Sequence, residues 1–376
     1  MWSPSRITRF TACVVLLVGI STAQAATFEN VDLTPAGAGA ANAVVAGTGN
    51  LSDAFYNPAG LAWQDGVQMM LGNQSLYRHN SVAFNNSIRS GSEGLPDAAL
   101  FAISWLPKGY NWGVAASVST PYSSQNDWSA SFPGLQLFDL NMQRYSGDIF
   151  WRVSNTLGVA VGFDMYDANL SLQTGGASFR GSDWSRVGAH MGLRWEIMPF
   201  WTLGVHYRQG VDVSMSNSIG DVASIQLPDE WSIGVAHGLA DDEMLLELDV
   251  RHSTWSSLSH IDVLSKAGAT LQSNTAYLRD TTDARLGLTW YWRHDTQLRF
   301  GYAYEQGANP SDGYQPLLSD LTGHKISMGF GGMAATMHLD VTWTGTYYAR
   351  VSGTGAYPGR YHDMRNSFMF SLSKKF

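Results

Sequence analysis

The chain has 376 residues, of which only 14% are charged while 12% are aromatic and 39 are glycine. A mean hydropathy of −0.12 excludes a bundle of transmembrane helices, and scarce charge beside abundant aromatics suits a chain whose outer surface meets something other than water. The net charge of −8 argues against a nucleic-acid partner.

At the N-terminus Arg6 and Arg9 precede an apolar run from Ala12 to Ile20 and then Ala23-Gln24-Ala25. This is the layout of a secretory signal cleaved after Ala25. The run is too short to span a bilayer, and no later segment approaches the roughly 20 apolar residues a spanning helix needs. Cys13, the single cysteine, lies within that signal, so the mature chain is expected to lack thiol and disulfide chemistry. Removing Arg6 and Arg9 from 23 basic residues leaves 21 against 31 acidic ones.

Residues 26–66 do not alternate; they are small, glycine-rich and carry Pro35 and Pro58. A disordered tail, a periplasmic peptide and a lumen plug are all compatible with them. From Val67 onward apolar and polar residues alternate repeatedly. Met244, Leu246, Leu248 and Val250 interleave with Glu247, Asp249 and Arg251. Leu286, Leu288, Trp290 and Trp292 face away from Arg285, Gly287 and Thr289, and Phe300 and Tyr302 from Arg299 and Gly301. Met337, Leu339, Val341 and Trp343 interleave with His338, Asp340 and Thr342. A period of two places one set in lipid and the other in a polar lumen. A slip of one residue would bring Arg285 or Arg299 into hydrocarbon at about 2–4 kcal/mol each.

Short links, such as Met198-Pro199-Phe200 and Gly332 to Ala335, alternate with longer polar ones at Arg78–Pro96, Pro121–Gln143, Thr174–Asp183, Met215–Pro228, Ser257–Asp280, Gly307–Thr322 and Arg350–Asp363. The expected fold is all-β: a transmembrane antiparallel β-barrel of about fourteen strands over 67–376, with both ends periplasmic. The last strand, Phe368, Phe370, Leu372, Lys374, Phe376, resembles the signal read by the bacterial outer-membrane assembly machinery. Lys374 departs from the usual apolar residue but can snorkel at the rim.

Gly37-Ala38-Gly39-Ala40-Ala41-Asn42 and Asp53-Ala54-Phe55-Tyr56-Asn57-Pro58-Ala59-Gly60-Leu61-Ala62 resemble the N-terminal hatch of the FadL family of outer-membrane long-chain fatty acid and hydrocarbon transporters. The resemblance implies that 26–66 fold inside the lumen as a hatch, with Asn57, Pro58 and Ala59 as its motif. It also implies an inward kink in the third strand, here Gly113–Thr120 meeting Pro121, which opens the wall sideways. The chain is shorter than typical members, which points to abbreviated outer loops. A dinucleotide-binding reading of the glycines fails because no strand precedes them.

Two further constellations bear on function. Trp128, Phe132, Pro133, Leu135, Leu137 and Phe138 suit an apolar outer groove for an acyl chain, with Leu258, Ile261, Val263 and Leu264 as its opposite wall; loop self-packing or an aromatic girdle is the plainer reading. Arg186, Arg208, Arg251 and Arg285 are candidates for holding a carboxylate headgroup, against the plainer reading that lumen arginines pair with acids such as Glu247 and Asp249. No Gly-x-Ser-x-Gly nucleophile motif and no histidine ligand spacing occurs, so neither an enzyme, a metal site nor a cofactor is expected. The expected function is passive uptake of fatty acids or similar hydrophobic molecules by a monomer embedded in outer-membrane lipid and lipopolysaccharide. An aromatic-hydrocarbon or alkane channel is the alternative, and a general diffusion porin a weaker one.

Overall fold

The computed structural model describes residues 28–47, 49–85, 87–90, 98–129, 135–174, 177–240, 243–276, 278–293, 296–309, 314, 316–353 and 357–376. The expected signal peptide 1–25, Phe132 and Pro133 lie outside them. Twenty strand segments form one antiparallel sheet. Six short ones extend the outer loops, and fourteen are the staves of a closed barrel: β1 Gly66–Phe84, β2 Ala98–Leu106, β3 Trp112–Asp127, β4 Leu135–Arg152, β5 Leu157–Thr174, β6 Ala177–Met198, β7 Trp201–Arg208, β8 Glu230–Leu239, β9 Met244–Ser253, β10 Thr281–Arg293, β11 Thr296–Glu305, β12 Gly323–Ala334, β13 Met337–Tyr348 and β14 Gly359–Lys375. Each stave pairs with the next, and β14 closes onto β1 from Gln68↔Lys375 to Ala83↔Arg360.

Lipid and lumen sort the side chains as the alternation predicts. Val341 is 44% and Phe370 50% exposed on the outside, while Thr342 and Arg299 are buried within. The Lys374 ammonium sits 5.2 Å over the Phe376 ring at the rim. Tight turns join the staves at the end that carries both chain termini of the barrel, which marks it as periplasmic. Phe200 (φ 68°) and Ala335 (φ 57°) supply the left-handed backbone that such turns require.

The outer ends of the staves run further than expected: much of the stretch read as a long link from Pro121 to Gln143 is strand, in β3 to Asp127 and in β4 from Leu135. The stretch read as a long link from Thr174 to Asp183 is a tight hairpin, because β5 runs to Thr174 and β6 resumes at Ala177. Beyond the hydrocarbon a strand has water on its outer face, so polar residues continue the ladder without alternating. For the same reason the links at Met215–Pro228 and Ser257–Asp280 hold their own hairpins, Asp212–Ser216 with Val222–Gln226 and His260–Leu264 with Thr270–Thr275.

Residues 28–65 lie within this wall. Helix α1, Pro35–Gly39, starts where Pro35 fixes the backbone and the Thr34 hydroxyl accepts from Gly37 N at 3.1 Å. Helix α2, Asp53–Tyr56, leads into a 3-10 helix, Pro58–Trp63. Helix α1 packs against β11–β14, and the 3-10 helix packs against β2–β6 on the opposite side. The fit depends on inward glycines. A Cβ on Gly287 would lie 2.8 Å from the Ala40 carbonyl, and one on Gly301 would fall on the backbone of Ala40 and Ala41.

Val341→Arg should therefore destabilise the barrel by about 2–4 kcal/mol, since Val341 faces the hydrocarbon. Urea unfolding in lipid vesicles measures it; an unchanged midpoint would mean that this face does not meet lipid.

Candidate functional site

The internal segment is held unevenly along its length. Asp32 accepts from Lys325 Nζ at 2.9 Å, Asn42 Nδ2 at 2.7 Å and Thr344 Oγ1 at 3.0 Å, all buried. Burial alone would raise its carboxyl, but the Lys325 charge and these hydrogen bonds hold it below the usual carboxylate range. Asp249 of β9 accepts the amides of Val44 (2.6 Å) and Val45 (2.9 Å). Asn57 donates to Val45 O at 2.7 Å and to Leu193 O of β6 at 3.0 Å, and its Oδ1 accepts from Ala59 N. Asn57, Pro58 and Ala59 are fully buried, and Ala59 sits against β5, where a Cβ on Gly158 would lie 2.9 Å from its carbonyl. The motif thus makes its hydrogen bonds to β6 and its tightest packing to β5, while the helices around it also touch β3.

The beginning of the segment meets β3 where the ladder of that strand is broken. The β2–β3 ladder runs from Trp105↔Val114 to Phe101↔Val118 and stops there, while β1 pairs with β2 only as far as Gln74↔Ala98. Opposite β4, the register of β3 shifts between Ser119 and Tyr122, around Pro121, which has no amide hydrogen to donate. Gly113–Val118 is regularly paired, so the interruption begins at Ser119 and centres on Pro121. The edge that β2 leaves bare is covered by residues 28–30: Asn30 N donates to Pro121 O at 2.6 Å, Ser123 N donates to Phe28 O at 2.8 Å, and Glu29 stands opposite Tyr122. The cavity beside this break, lined by Asn30, Leu33, Gln74, Leu100 and Thr120, is only about 10 Å³. That is room for one water at most.

Beyond the break lies a buried apolar cluster, a chamber filled by its own side chains. Tyr122, Trp128, Phe138, Leu140, Met142, Tyr166 and Leu170 of β3–β5 and their outer extensions line one side. Trp255, Leu258, Ile261 and Val263 line the other, with Val213 and Ile225 from the first hairpin and Leu317, Leu318 and Leu321 above. Phe28 occupies the centre, edge-on to Trp255 at 5.2 Å and Tyr122 at 6.1 Å and tilted to Phe138 at 6.1 Å. Of the residues expected in an outer groove, Phe138 points into this closed chamber. Leu137 is half-buried on the other face of β4, and Leu135 opens that strand opposite Thr174. Trp128 is buried, its indole N–H donating to Pro316 O at 3.2 Å. Leu264 is 37% exposed.

Below the chamber, a polar cavity of about 40 Å³ is lined by Glu29, Pro121, Arg144, Arg208, Arg251 and Arg285, among others. Three of the four arginines read as headgroup candidates meet here, each beside an acid. Arg208 donates to Asp164 at 2.8 Å, Arg285 to Asp283 at 3.0 Å, and Arg251 contacts Glu29, with Glu230 and Asp283 at 3.6 Å. Arg186 is elsewhere. The register shift between Arg186 and Asp183 turns it to solvent, near Asp183 and Ser214. Phe28, Glu29, Tyr122, Arg144 and Trp255 were not singled out from the sequence. The one available cue was the Phe28-Glu29 pair, an aromatic and an acid shortly after the expected cleavage site. Among the described residues no group of His, Cys, Asp or Glu is arranged to hold a metal ion.

A closed barrel with its own N-terminal segment inside, short turns at one end and an apolar chamber at the other, defines an outer-membrane transport protein. The family model for outer membrane protein transport proteins (OMPP1/FadL/TodX) matches residues 16–347, and the chain belongs to that family. Among solved structures it is similar to a Pseudomonas aeruginosa FadL homologue at 15% identity and a TM-score of 0.81, covering 93% of this chain and 100% of that one. It is also similar to the P. putida toluene transporter TodX (15% identity, TM-score 0.69, covering 87% and 94%). The Ralstonia pickettii toluene transporter TbuX is a third (16%, 0.67, covering 91% and 98%). No curated protein matches the sequence.

The raised carboxyl of Glu29 leads to the expectation that the contact of residues 28–30 with β3 weakens as pH rises. Burial pushes its carboxyl up to about 7 from 4.5, against the pull of Arg251 and with Glu230, Asp283 and Arg285 also facing it. A carboxyl raised in the closed position stabilises closure when protonated, and that contribution is lost as pH rises through about 7. A cysteine replacing Asn30 should react with a water-soluble maleimide increasingly from pH 6 to pH 8, normalised to a cysteine at exposed Ser154. Glu29→Gln should flatten the profile. A flat profile in the parent would exclude Glu29 as its source.

Proposed function

We propose that this protein carries long-chain fatty acids or similar hydrophobic molecules passively across the outer membrane, and that the apolar chamber is their binding site. The observation that carries the reading is the placement of Phe28 at the chamber's centre with its neighbours hydrogen-bonded across the break in the wall. A ligand that takes the place of Phe28 pulls residues 28–30 off the β3 edge. The chamber then communicates with the gap beside Pro121, a sideways exit into the membrane that avoids water. Arg208, Arg251 and Arg285 lie where a carboxylate would arrive, although each already has an acidic neighbour.

Magnitudes favour displacement. Closure rests on about 1.5–3 kcal/mol for the buried Phe28 ring and about 0.5–1.5 kcal/mol for each hydrogen bond, two from the backbone and two between the Asn30 and Gln74 side chains, beside the Glu29–Arg251 pair. An acyl chain of about sixteen carbons offers on the order of 10 kcal/mol at about 0.8 kcal/mol per methylene. Asp32, Asp249 and Asn57 keep the remainder of the segment in place, so only its first residues need to move.

A second reading has its own support. Phe28 is surrounded by the rings of Tyr122, Phe138 and Trp255, a nest suited to a small aromatic hydrocarbon as much as to an alkyl chain. A diffusion porin is less well supported, because cavities of about 40 and 10 Å³ beside the internal segment are too small for a sugar.

Glu29 and Tyr122 face each other as a cross-strand pair whose hydrogen bonds flank it. Such a pair places Cα atoms about 4.5 Å apart, within disulfide range. The Glu29→Cys, Tyr122→Cys protein should fold, reach the outer membrane and take up neither oleate nor toluene until reduced. Reduced, it discriminates the readings: oleate uptake supports the first, toluene alone the second. Undiminished uptake by fully bridged protein would remove the Phe28–Asn30 closure from the transport path.

A further inference from the structure

Several arginines inside the barrel pair with acids, as Arg78 with Asp363 at 2.5 Å and Arg299 with Asp340 at 2.6 Å illustrate. Arg350 and Arg360 differ. They line a groove of about 310 Å³ on the outer face of the wall, together with His362, Ala83 and Ile88. Among the described residues neither forms an ion pair, and both are exposed, so their guanidinium groups can meet an anion at the surface.

The height of the groove says what lies beside it. Tyr77 and Tyr347 point outward at 64% and 52% exposure above the apolar band of Leu372, Phe370 and Phe368. They mark the outer interfacial belt. Tyr77 pairs with Asn366, Ser81 with His362 and Ala83 with Arg360. The four residues from Asn366 to His362 rise about 13 Å along the strand, or roughly 9 Å in height at a tilt near 45°. The two guanidinium groups therefore stand just outside the belt, on the lipid-facing side, at the depth of charged headgroups. Ile88, 78% exposed, adds an apolar floor beside them. A free anion has no use for such a floor, whereas an amphiphile with a phosphorylated headgroup uses both parts.

We propose that this groove binds a phosphorylated glycolipid of the outer leaflet, with Arg350 and Arg360 holding its phosphate. The site is separate from the lumen and independent of what the lumen carries. It ties the rim near the β14–β1 seam to the surrounding lipid, on the side where β1 leaves β2 and the wall is interrupted.

Native mass spectrometry of the full mature chain, incubated in detergent with bis-phosphorylated lipid A, tests this. Each arginine near an anionic surface is worth about a factor of five, so Arg350→Gln with Arg360→Gln should weaken retention roughly thirty-fold. Lys108→Gln with Arg293→Gln, exposed at the periplasmic end, should leave it unchanged. Lipid A stripped of phosphate should bind the parent as weakly as the intact lipid binds the double variant. A heat-dependent shift in gel mobility confirms that each variant is folded. Equal retention by parent and double variant, or equal retention of intact and dephosphorylated lipid, would overturn the proposal. Displacement of the lipid by millimolar inorganic phosphate would overturn it in favour of a free-anion site.

Discussion

A backbone amide in hydrocarbon has no water to bond to, so every strand in a bilayer must have a neighbour on both sides. This constraint governs the molecule. It closes β14 onto β1, and it makes the place where β2 stops following β3 an unstable arrangement unless something else covers the edge. Residues 28–30 cover it with two backbone hydrogen bonds. The chain's own beginning thus acts as a short substitute strand that lacks the length, and the second neighbour, of a permanent one.

The polar interior follows from the same constraint. Because the outward face must be apolar, charge and hydrogen-bonding capacity collect inside, and the internal segment is fastened there by groups that would be costly to leave unpaired. Lys325 with Asp32, and Asp249 with the amides of Val44 and Val45, are fully buried anchors. The segment's start is tied by two backbone hydrogen bonds to β3, by Asn30 to Gln74 and by Arg251 to Glu29, where burial works against the carboxylate. The proposed movement draws on that difference in attachment along the segment.

How much of this was legible in the sequence depends on which faces met which solvent. Val341 against Thr342, or Phe300 against Arg299, could be assigned because lipid on one side and a polar lumen on the other leave a period of two. Gly287 and Gly301 were placed on the inward face by the same pattern, although their purpose, room for Ala40 and Ala41, needed the packing. The signal fails where both faces meet similar surroundings. Ala177–Asp183 continues a ladder in water and reads as a loop. Arg186 follows the inward pattern until a register shift re-aims it. Phe28 belongs to no periodic element, and its partners Tyr122, Phe138 and Trp255 come from three distant parts of the chain, so nothing local marks it.

The chamber and the closure are one construction, because Phe28 is at once a core residue and the first link of the substitute strand. Had the chamber been filled by a side chain from a stave, a ligand entering it would have to break a continuous ladder on both sides, and the wall would resist. Filled from the start of the internal segment, it would be vacated by giving up one ring, two backbone hydrogen bonds and the side-chain contacts of Glu29 and Asn30, with the staves left paired. On the proposed path the break at Pro121 matters only when the chamber is occupied, because residues 28–30 otherwise cover it. The molecule that would open it is the one whose burial replaces the aromatic contacts that Phe28 gives up.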